Sequence, residues 1–356
     1  MRKVTIIAEA GVNHNGDEDL AFQLVDAAVE AGADIVKFQT FKAESLVTKN
    51  ASKAKYQQEL TGKNESQFEM LKRLELSHEM HLKLIDYCKV KKIQFLSTAF
   101  DLDSLYFLVN HLGLKTLKIP SGDLTNGPLL LAHAKTHNDL IISTGMATLD
   151  EIEIALGVVA FGFLGLKNPS ITSFSSAFSS VEGQEILKEK VTLLHCTSEY
   201  PAPLKDINLN AMISMVKKFG IKIGYSDHSE GITVPIAATA LGATIIEKHF
   251  TLDKTLPGPD HKASLEPQEL SRMVSEIRVV EKILGDGVKG PQPSELGNRD
   301  IARKSIVAMT DIAKGHIFTV NNIAFKRPGT GKSPMEYWAL LGTSAEHDIS
   351  NDELIK

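Results

Sequence analysis

Cysteine and tryptophan are scarce in this chain of 356 residues, which contains two cysteines and one tryptophan. Two thiols, Cys88 and Cys196, cannot build a disulfide framework or a thiol-rich zinc cluster. This usage is typical of proteins from a reducing compartment. We therefore expect the protein to be cytoplasmic.

Long apolar runs and clusters of basic residues are also missing. The longest apolar stretch, residues 154–166, is shorter than the roughly 18 residues that cross a bilayer. The start of the chain resembles a signal peptide, but Glu9 interrupts its apolar run. Lysine and arginine are scattered and the net charge is −5, so we expect neither a membrane nor nucleic acid as a partner.

Short β-branched runs alternate eight times with longer segments of helical periodicity. The predicted strands cover residues 4–8, 34–38, 93–96, 116–119, 140–143, 191–195, 221–225 and 244–248. Such alternation predicts a parallel sheet, and eight units favour closure into a (β/α)8 TIM barrel of the α/β class. Two longer connections, 42–77 and 164–190, are expected to be loops or lids. Histidines on predicted helices, among them His81 and His133, are expected to be solvated.

The barrel domain is predicted to cover residues 1–285. A stretch rich in glycine and proline follows, and we interpret 286–300 as a linker. Residues 301–356 then form a small module with two β-type runs. Since so short a module buries little core, we expect it to dock on the barrel or on a second subunit.

Polar residues follow every predicted strand, which is where TIM-barrel enzymes place their active sites. Lys37 and Lys118 lie in strands that should otherwise be apolar, Ser121 follows the fourth strand, and Ser143 ends the fifth. Ammonium, hydroxyl and backbone N–H groups together predict a site for a phosphate or carboxylate. The alternative is that each lysine only pairs with a carboxylate at the rim.

Two histidines end adjacent predicted strands, His228 on the seventh and His249 on the eighth. Two neutral imidazoles with open positions beside them suit Mn²⁺, Co²⁺ or Zn²⁺ acting as a Lewis acid. His195 is a third candidate ligand, and Asp227 is interpreted as an orienting residue rather than a ligand.

Carboxylates also occur near the mouth of the predicted barrel. Glu9 could bind sugar hydroxyls or transfer a proton, or it could form an ion pair with Lys37. Asp260 lies on a stiff loop after the eighth strand, where it could bind a polyol or simply form a turn.

Several of these segments resemble one family, the N-acetylneuraminate (sialic acid) synthases and their relatives that make legionaminic acid. The tail resembles the antifreeze-like (SAF) domain that ends such enzymes. The main matching motifs are Glu9-Ala-Gly-Val-Asn13-His14-Asn15-Gly16, Lys118-Ile-Pro-Ser-Gly122, Tyr225-Ser-Asp-His-Ser229, Glu247-Lys-His-Phe-Thr251, Pro257-Gly-Pro-Asp-His261 and, in the tail, Lys326-Arg-Pro-Gly-Thr-Gly331.

The resemblance implies a reaction. Phosphoenolpyruvate would condense with an N-acetylated mannosamine-type sugar and water, giving a nine-carbon 2-keto-3-deoxy sugar acid and phosphate. The product would be N-acetylneuraminate or N,N'-diacetyllegionaminate, and the run Ile119–Asn126 is more similar to the legionaminic acid branch. The resemblance also implies a domain-swapped homodimer that uses Mn²⁺, with Mg²⁺ or Co²⁺ as alternatives.

It further implies the roles of individual residues. His228 and His249 would bind the metal, and Arg327 of a partner subunit would reach the N-acetyl group. The implied contacts to phosphoenolpyruvate are Lys37, Thr98, Lys118, Ser121, Ser143 and Ser226. Those for the sugar or for catalysis are Glu9, Gln39, Tyr200 and Asp260, and Phe100 is a further candidate substrate contact. Two positions depart from the family pattern: Asp123, a candidate catalytic residue, replaces the usual Glu, and Ser198, a candidate substrate contact, replaces Asn.

Two other functions remain open at this point. One is a metal-independent pyruvate aldolase that forms a Schiff base on Lys37, Lys118 or Lys248. The other is a carbohydrate-binding protein without catalytic activity.

Overall fold

The structure is a computed structural model that describes residues 3–61 and 65–356. Its chain divides into two compact units, Met1–Asp286 and Gly287–Lys356. In the described part of the chain, no helix combines the length and the apolar composition needed to cross a membrane.

The first unit is a closed barrel of eight parallel strands, in which each strand pairs with the next and the eighth pairs with the first. The strands are β1 (Thr5–Gly11), β2 (Ile35–Thr40), β3 (Gln94–Ala99), β4 (Thr116–Ile119), β5 (Asp139–Ser143), β6 (Val191–His195), β7 (Lys222–Asp227) and β8 (Ile245–His249). The predicted (β/α)8 fold is confirmed.

Helices cover the outside of the barrel, and side-chain caps fix several of their beginnings. Asp17 accepts a hydrogen bond from the Leu20 backbone N–H, and Ser77 does the same for Met80. The helices of this unit are α1 (Glu18–Glu30), α2 (Ala43–Leu46), α3 (Lys55–Thr61), α4 (Gln67–Leu74), α5 (His78–Lys91), α6 (Leu102–Tyr106), α7 (Gly127–Lys135), α8 (Leu149–Phe163), α9 (Ile171–Ser179), α10 (Val181–Lys190), α11 (Asn210–Phe219), α12 (Thr233–Ala240) and α13 (Pro267–Ile283).

The second unit is small and has its own core. Strands β9 (Ser305–Ala308) and β10 (Ile323–Lys326) pair antiparallel, and helices α14 (Pro293–Ala302) and α15 (Tyr337–Leu340) accompany them. Its buried core consists of Ile306, Ala308, Ile312, Phe318, Ile323, Ala345, Ile349 and Ile355.

Three segments differ from the expectation from sequence. The connection 42–77 contains α2, α3 and α4, although its residues 62–64 lie outside the described part, and the connection 164–190 contains α9 and α10. The expected linker, 286–300, includes most of α14. This helix begins there because Pro293 suits its first turn and a capping box between Gln292 and Glu295 satisfies its N-terminal backbone N–H groups. The regular structure in these segments is too short to show a clear period in sequence.

The expectation that His81 and His133 are solvated is wrong. Both side chains are fully buried. His81 Nε2 lies 2.7 Å from Thr40 Oγ1, and His133 Nδ1 lies 2.9 Å from the carbonyl oxygen of Leu129. A buried histidine of this kind stays neutral because burial lowers its pKa, here to about 4 in both cases.

Candidate active site

The barrel interior consists of an apolar layer with a polar layer above it. Six inward side chains form the apolar layer: Ile7, Ile35, Leu96, Ile141, Leu194 and Ile245. Because side chains two residues apart in a strand point to the same face, the next inward residue on each strand lies nearer its carboxyl end. In this way β1, β2, β3, β5 and β8 bring Glu9, Lys37, Thr98, Ser143 and Glu247 to the same level.

A cavity of about 240 Å³ opens above this polar layer, at the carboxyl ends of the strands. Its lining is Glu9, Lys37, Gln39, Thr98, Phe100, Lys118, Pro120, Ser121, Gly122, Ser143, Met146, Ser198, Tyr200, Ser226, His228, Glu247 and His249. Thirteen of the sixteen residues predicted from sequence therefore line one cavity; the other three are Asp123, Asp260 and Arg327.

Lys37 lies between two carboxylates at the bottom of this cavity. Its Nζ is 3.1 Å from Glu9 Oε2 and 3.4 Å from Glu247 Oε2, and it donates a hydrogen bond of 3.0 Å to Thr98 Oγ1. The expected ion pair between Glu9 and Lys37 is therefore present. It does not exclude the anion site, because Lys37 is held inside the cavity rather than at the rim.

Lys118 provides the second buried positive charge. Its Nζ donates to Ser143 Oγ at 2.6 Å and lies 3.7 Å from Glu247 Oε1. Burial lowers the pKa of Lys118, and the charge of Glu247 opposes that effect. Two lysines on neighbouring inward positions can hold the phosphate and carboxylate groups of an anionic substrate.

The two carboxylates of this network differ in protonation. Burial raises the pKa of Glu9 to about 7, against the opposing charge of Lys37. Burial has the same tendency at Glu247, but Lys118 and Lys37 outweigh it and lower the pKa of Glu247 to about 2. Glu247 is thus a fixed negative charge, whereas Glu9 can gain or lose a proton near neutral pH.

His228 and His249 lie side by side at the mouth, with their ring centroids 5.6 Å apart. His228 Nδ1 is 2.7 Å from the carbonyl oxygen of Thr197, so Nδ1 carries the proton and the Nε2 lone pair faces the cavity, 3.0 Å from the Tyr200 hydroxyl. His249 Nδ1 is buried without a hydrogen-bond partner. Burial lowers the pKa of both rings, which keeps them neutral.

These two rings fit a divalent cation with a partly open coordination sphere. Within residues 3–61 and 65–356, no set of three His, Cys, Asp or Glu side chains is grouped to hold a metal ion. A cation bound here would therefore take only two imidazole nitrogens from the protein and its remaining ligands from substrate or water.

The predictions for Asp260, Asp123 and Arg327 stay predictions. Asp260 Oδ2 is 3.9 Å from His249 Nδ1, and burial raises the pKa of Asp260 to about 6. Asp123 ends a short 3₁₀ turn and accepts a hydrogen bond of 3.0 Å from the Asn126 side chain. Arg327 directly follows β10 in the second unit.

Two other candidates from sequence face away from this cavity. His195 Nε2 donates a hydrogen bond of 2.9 Å to the carbonyl oxygen of Ile207, so His195 does not lie with His228 and His249. Lys248 is fully buried on the opposite face of β8, where its Nζ is 2.6 Å from Asp227 Oδ2. It is not placed to attack a substrate in the cavity.

Four lining residues were not predicted as site residues, namely Pro120, Gly122, Met146 and Glu247, and Glu247 is the charged one among them. The signal was present, because Ile245, Glu247 and His249 alternate along one strand and must share a face. Once His249 is assigned to the cavity, the same period assigns Glu247 to it.

Gly145 packs so closely beside the cavity that it leaves no room for a side chain. Its backbone N–H donates to Ser121 Oγ at 2.9 Å, and a Cβ there would lie 2.2 Å from Ser198 Oγ. We expect Gly145→Ala to displace Ser121 and Ser198 and to lower kcat/KM for the anionic substrate by about 100-fold. Steady-state kinetics measure this effect.

Gly122→Ala is the matched control, because Gly122 also lines the cavity but a Cβ there meets nothing within 4 Å. It should stay within about threefold of the unmodified protein. Equal kinetics for the two variants would contradict the close packing at Gly145.

Together, the fold and the cavity define a TIM-barrel enzyme with two buried lysines beside two histidines at the carboxyl ends of its strands. The model of the NeuB family matches residues 24–289, and that of the SAF domain matches residues 303–356. The chain belongs to the NeuB family.

Similar proteins agree with this assignment. An N,N'-diacetyllegionaminic acid synthase from Campylobacter jejuni is 49% identical over 356 residues, covering 100% of both chains. A second protein of that name, from Legionella pneumophila, is 46% identical over 97% of this chain and 91% of its own. The crystal structure of N-acetylneuraminic acid (sialic acid) synthetase from Leptospira borgpetersenii in complex with citrate is 37% identical, with a TM-score of 0.67 over 83% of this chain and 90% of the other.

Proposed function

We propose that this enzyme condenses phosphoenolpyruvate with 2,4-diacetamido-2,4,6-trideoxymannose and water to give N,N'-diacetyllegionaminate and phosphate. Its reaction class is phosphoenolpyruvate-dependent synthesis of a nonulosonic acid. The observation that carries the choice of sugar is the 49% identity to a full-length legionaminic acid synthase, compared with 37% to the sialic acid synthetase.

The lysines account for binding of phosphoenolpyruvate. Lys37 and Lys118 are at most 3% exposed, so their charges act in a medium where water screens them little. Ser143 and Thr98 each accept a hydrogen bond from one of these ammonium groups, which keeps both lysines directed into the cavity. Ionised Glu247 keeps the lysines protonated until the substrate arrives.

The carbon–carbon bond forms when C3 of phosphoenolpyruvate attacks C1 of the open-chain sugar aldehyde. Water then adds at C2, and phosphate leaves by cleavage of the C–O bond. Glu9, whose pKa is about 7, is suited to deliver a proton to the aldehyde oxygen or to accept one from water. Lys37 and Lys118 stabilise the negative charge that remains on the leaving phosphate.

His228 and His249 would hold the divalent cation, Mn²⁺ or alternatively Mg²⁺ or Co²⁺, which supplies Lewis-acid polarisation of the sugar carbonyl when bound. Tyr200 adds a hydroxyl 3.0 Å from His228 Nε2. The centroid of its ring lies 4.1 Å from that of His228 and 5.7 Å from that of His249. This arrangement supports a role for Tyr200 in orienting the sugar beside the two histidines.

We also propose a domain-swapped homodimer in which Arg327 of one subunit reaches the N-acetyl group in its partner's cavity. The SAF domain match and the compact second unit with its own core support this proposal. A cytoplasmic location is supported by the two free, buried cysteines, Cys88 and Cys196.

Sugar selectivity tests the proposed substrate. With saturating phosphoenolpyruvate and Mn²⁺, we expect kcat/KM for the diacetamido trideoxy sugar to exceed that for N-acetylmannosamine by about 100-fold or more. A site that binds a second acetamido group leaves its polar partners unpaired when that group is missing. Release of inorganic phosphate measures turnover, and a preference for N-acetylmannosamine would contradict the proposal.

Two controls separate the rival functions. Phosphate release without any sugar should be negligible, which ties turnover to condensation. Borohydride with pyruvate should leave the mass of the protein unchanged, since a lysine Schiff base would be reduced to a stable adduct. An adduct on Lys37 or Lys118 would support the aldolase instead.

A further inference from the structure

A buried cluster behind the two histidines links the ends of β7 and β8. Lys248 and Asp227 are both 0% exposed, and their side chains form an ion pair of 2.6 Å. Their backbones face each other as the last register pair between the two strands. This ion pair lies on the outer face of the barrel wall, whereas Ser226 and Glu247, one residue earlier on each strand, lie on the inner face.

His228 lies just past the end of β7, so the backbone ladder between the two strands no longer restrains it. Beyond the end of this ladder, hydrogen bonds of the Asp227 side chain restrain the chain. Asp227 Oδ1 accepts the Ser229 backbone N–H at 3.0 Å and the Ser229 hydroxyl at 2.8 Å. One carboxylate thereby holds the residues on both sides of His228.

Lys248 joins this turn to the neighbouring strand. Its ammonium donates to Asp227 Oδ2 and also to the carbonyl oxygen of Ser229. Lys248 directly precedes His249, whereas Asp227 and Ser229 flank His228. The contacts of Lys248 therefore connect both neighbours of His228 to the neighbour of His249. The distance between the two imidazoles is thus restrained by Asp227, Ser229 and Lys248 together.

We propose that Asp227, Lys248 and Ser229 are positioning residues that preorganise His228 and His249 for binding a divalent cation. The inference rests on the proposed metal role of the two histidines. A metal site whose ligands are supplied by only two side chains depends on their separation, because additional protein ligands are not there to correct it. A buried ion pair suits this purpose better than general stabilisation, since apolar residues can replace such a pair without loss of stability.

The test removes the ion pair between Lys248 and Asp227 but keeps the hydrogen bonds between residue 227 and Ser229. In the double variant Asp227→Asn, Lys248→Met, the amide can still accept hydrogen bonds from Ser229, and no unpaired charge remains buried. We expect the Kd for Mn²⁺ to rise by about 10- to 100-fold. Electron paramagnetic resonance of free Mn²⁺ measures this Kd without any sugar or phosphoenolpyruvate, so the result does not depend on the identity of the sugar.

Arg278→Met is the matched control. Arg278 also forms an ion pair in this unit, with Nη2 2.7 Å from Asp34 Oδ2, but Asp34 precedes β2 and lies at the opposite end of the barrel. This variant should lose stability in urea without a change in the Kd for Mn²⁺. A general loosening of the barrel would raise the Kd in both variants and would overturn the proposal.

Ser229→Ala keeps the ion pair and serves as a second variant if the double variant does not fold. It loses only the hydroxyl bond to Asp227, and we expect its Kd for Mn²⁺ to rise roughly threefold to tenfold. An unchanged Kd in a folded variant would overturn the positioning role. If the unmodified protein bound no Mn²⁺, the metal role of the histidines would fail together with this inference, whereas a different sugar preference would leave both intact.

Discussion

Replacing His249 with alanine is expected to lower kcat by about 1,000-fold or more and to leave the fold unchanged. Metal polarisation of a carbonyl contributes several kcal/mol to a transition state, and about 4 kcal/mol corresponds to a factor near 1,000. Under the proposed function, His249 is one of the two imidazoles among the described residues that would hold the cation. With His228 as the single remaining imidazole, we expect the site to lose its divalent ion at micromolar concentrations.

The measurement is kcat over a range of Mn²⁺ concentrations, with far-ultraviolet circular dichroism to verify folding. His195→Ala is the matched control, because His195 also ends a strand but is bonded to the carbonyl oxygen of Ile207 instead of facing the cavity. We expect near-normal kcat for that variant. Undiminished turnover of His249→Ala in buffer treated with EDTA would show that the histidines have no metal role.

The parts of the fold that could be predicted from sequence are those encoded over short distances. Eight alternations of strand and helix are visible in composition alone, and the period of two within a strand separates inner from outer residues. Ile7 and Glu9 illustrate this: the first belongs to the apolar layer and the second to the polar layer above it. The positions of the polar strand ends were therefore predictable once the barrel was recognised.

Contacts between distant segments could not be predicted in this way. The sequence does not reveal that Lys37 has two carboxylate neighbours, because Glu247 is separated from it by most of the barrel and only closure of β8 onto β1 brings them together. Tyr56 is a second example. It lies in the segment expected to be a loop, yet its ring stacks on that of Tyr200, with the two ring centroids 5.2 Å apart.

The electrostatic state of the site is equally non-local. Glu9 and Glu247 are the same residue type, both buried and both near Lys37, but their pKa values are about 7 and about 2. Glu247 differs because it also faces Lys118 and accepts a hydrogen bond of 2.9 Å from Ser226. The assignment of one carboxylate to proton transfer and the other to charge balance requires all of these neighbours.

Replacing Lys118 with methionine is expected to lower kcat/KM for phosphoenolpyruvate by about 100- to 1,000-fold. Removing one member of a buried, hydrogen-bonded charge pair costs roughly 2 to 5 kcal/mol, and a 100- to 1,000-fold loss corresponds to about 2.7 to 4.1 kcal/mol, within that range. Methionine fills a similar volume, and Glu247 keeps Lys37 as a partner at 3.4 Å, so the network does not retain an unpaired carboxylate. The loss should therefore fall on substrate binding and chemistry rather than on folding.

Steady-state kinetics with phosphoenolpyruvate as the varied substrate measure this effect, and KM for the sugar should change by less than about threefold. Lys222→Met is the control, because Lys222 begins β7 at the opposite end of the barrel and its side chain is exposed. Lys118→Arg should not restore activity, since the longer, forked guanidinium does not fit where Nζ lies 2.6 Å from Ser143 Oγ. If Lys118→Met changed the KM values for phosphoenolpyruvate and the sugar equally, Lys118 would not be specific to phosphoenolpyruvate. Lys37 alone would then hold that substrate.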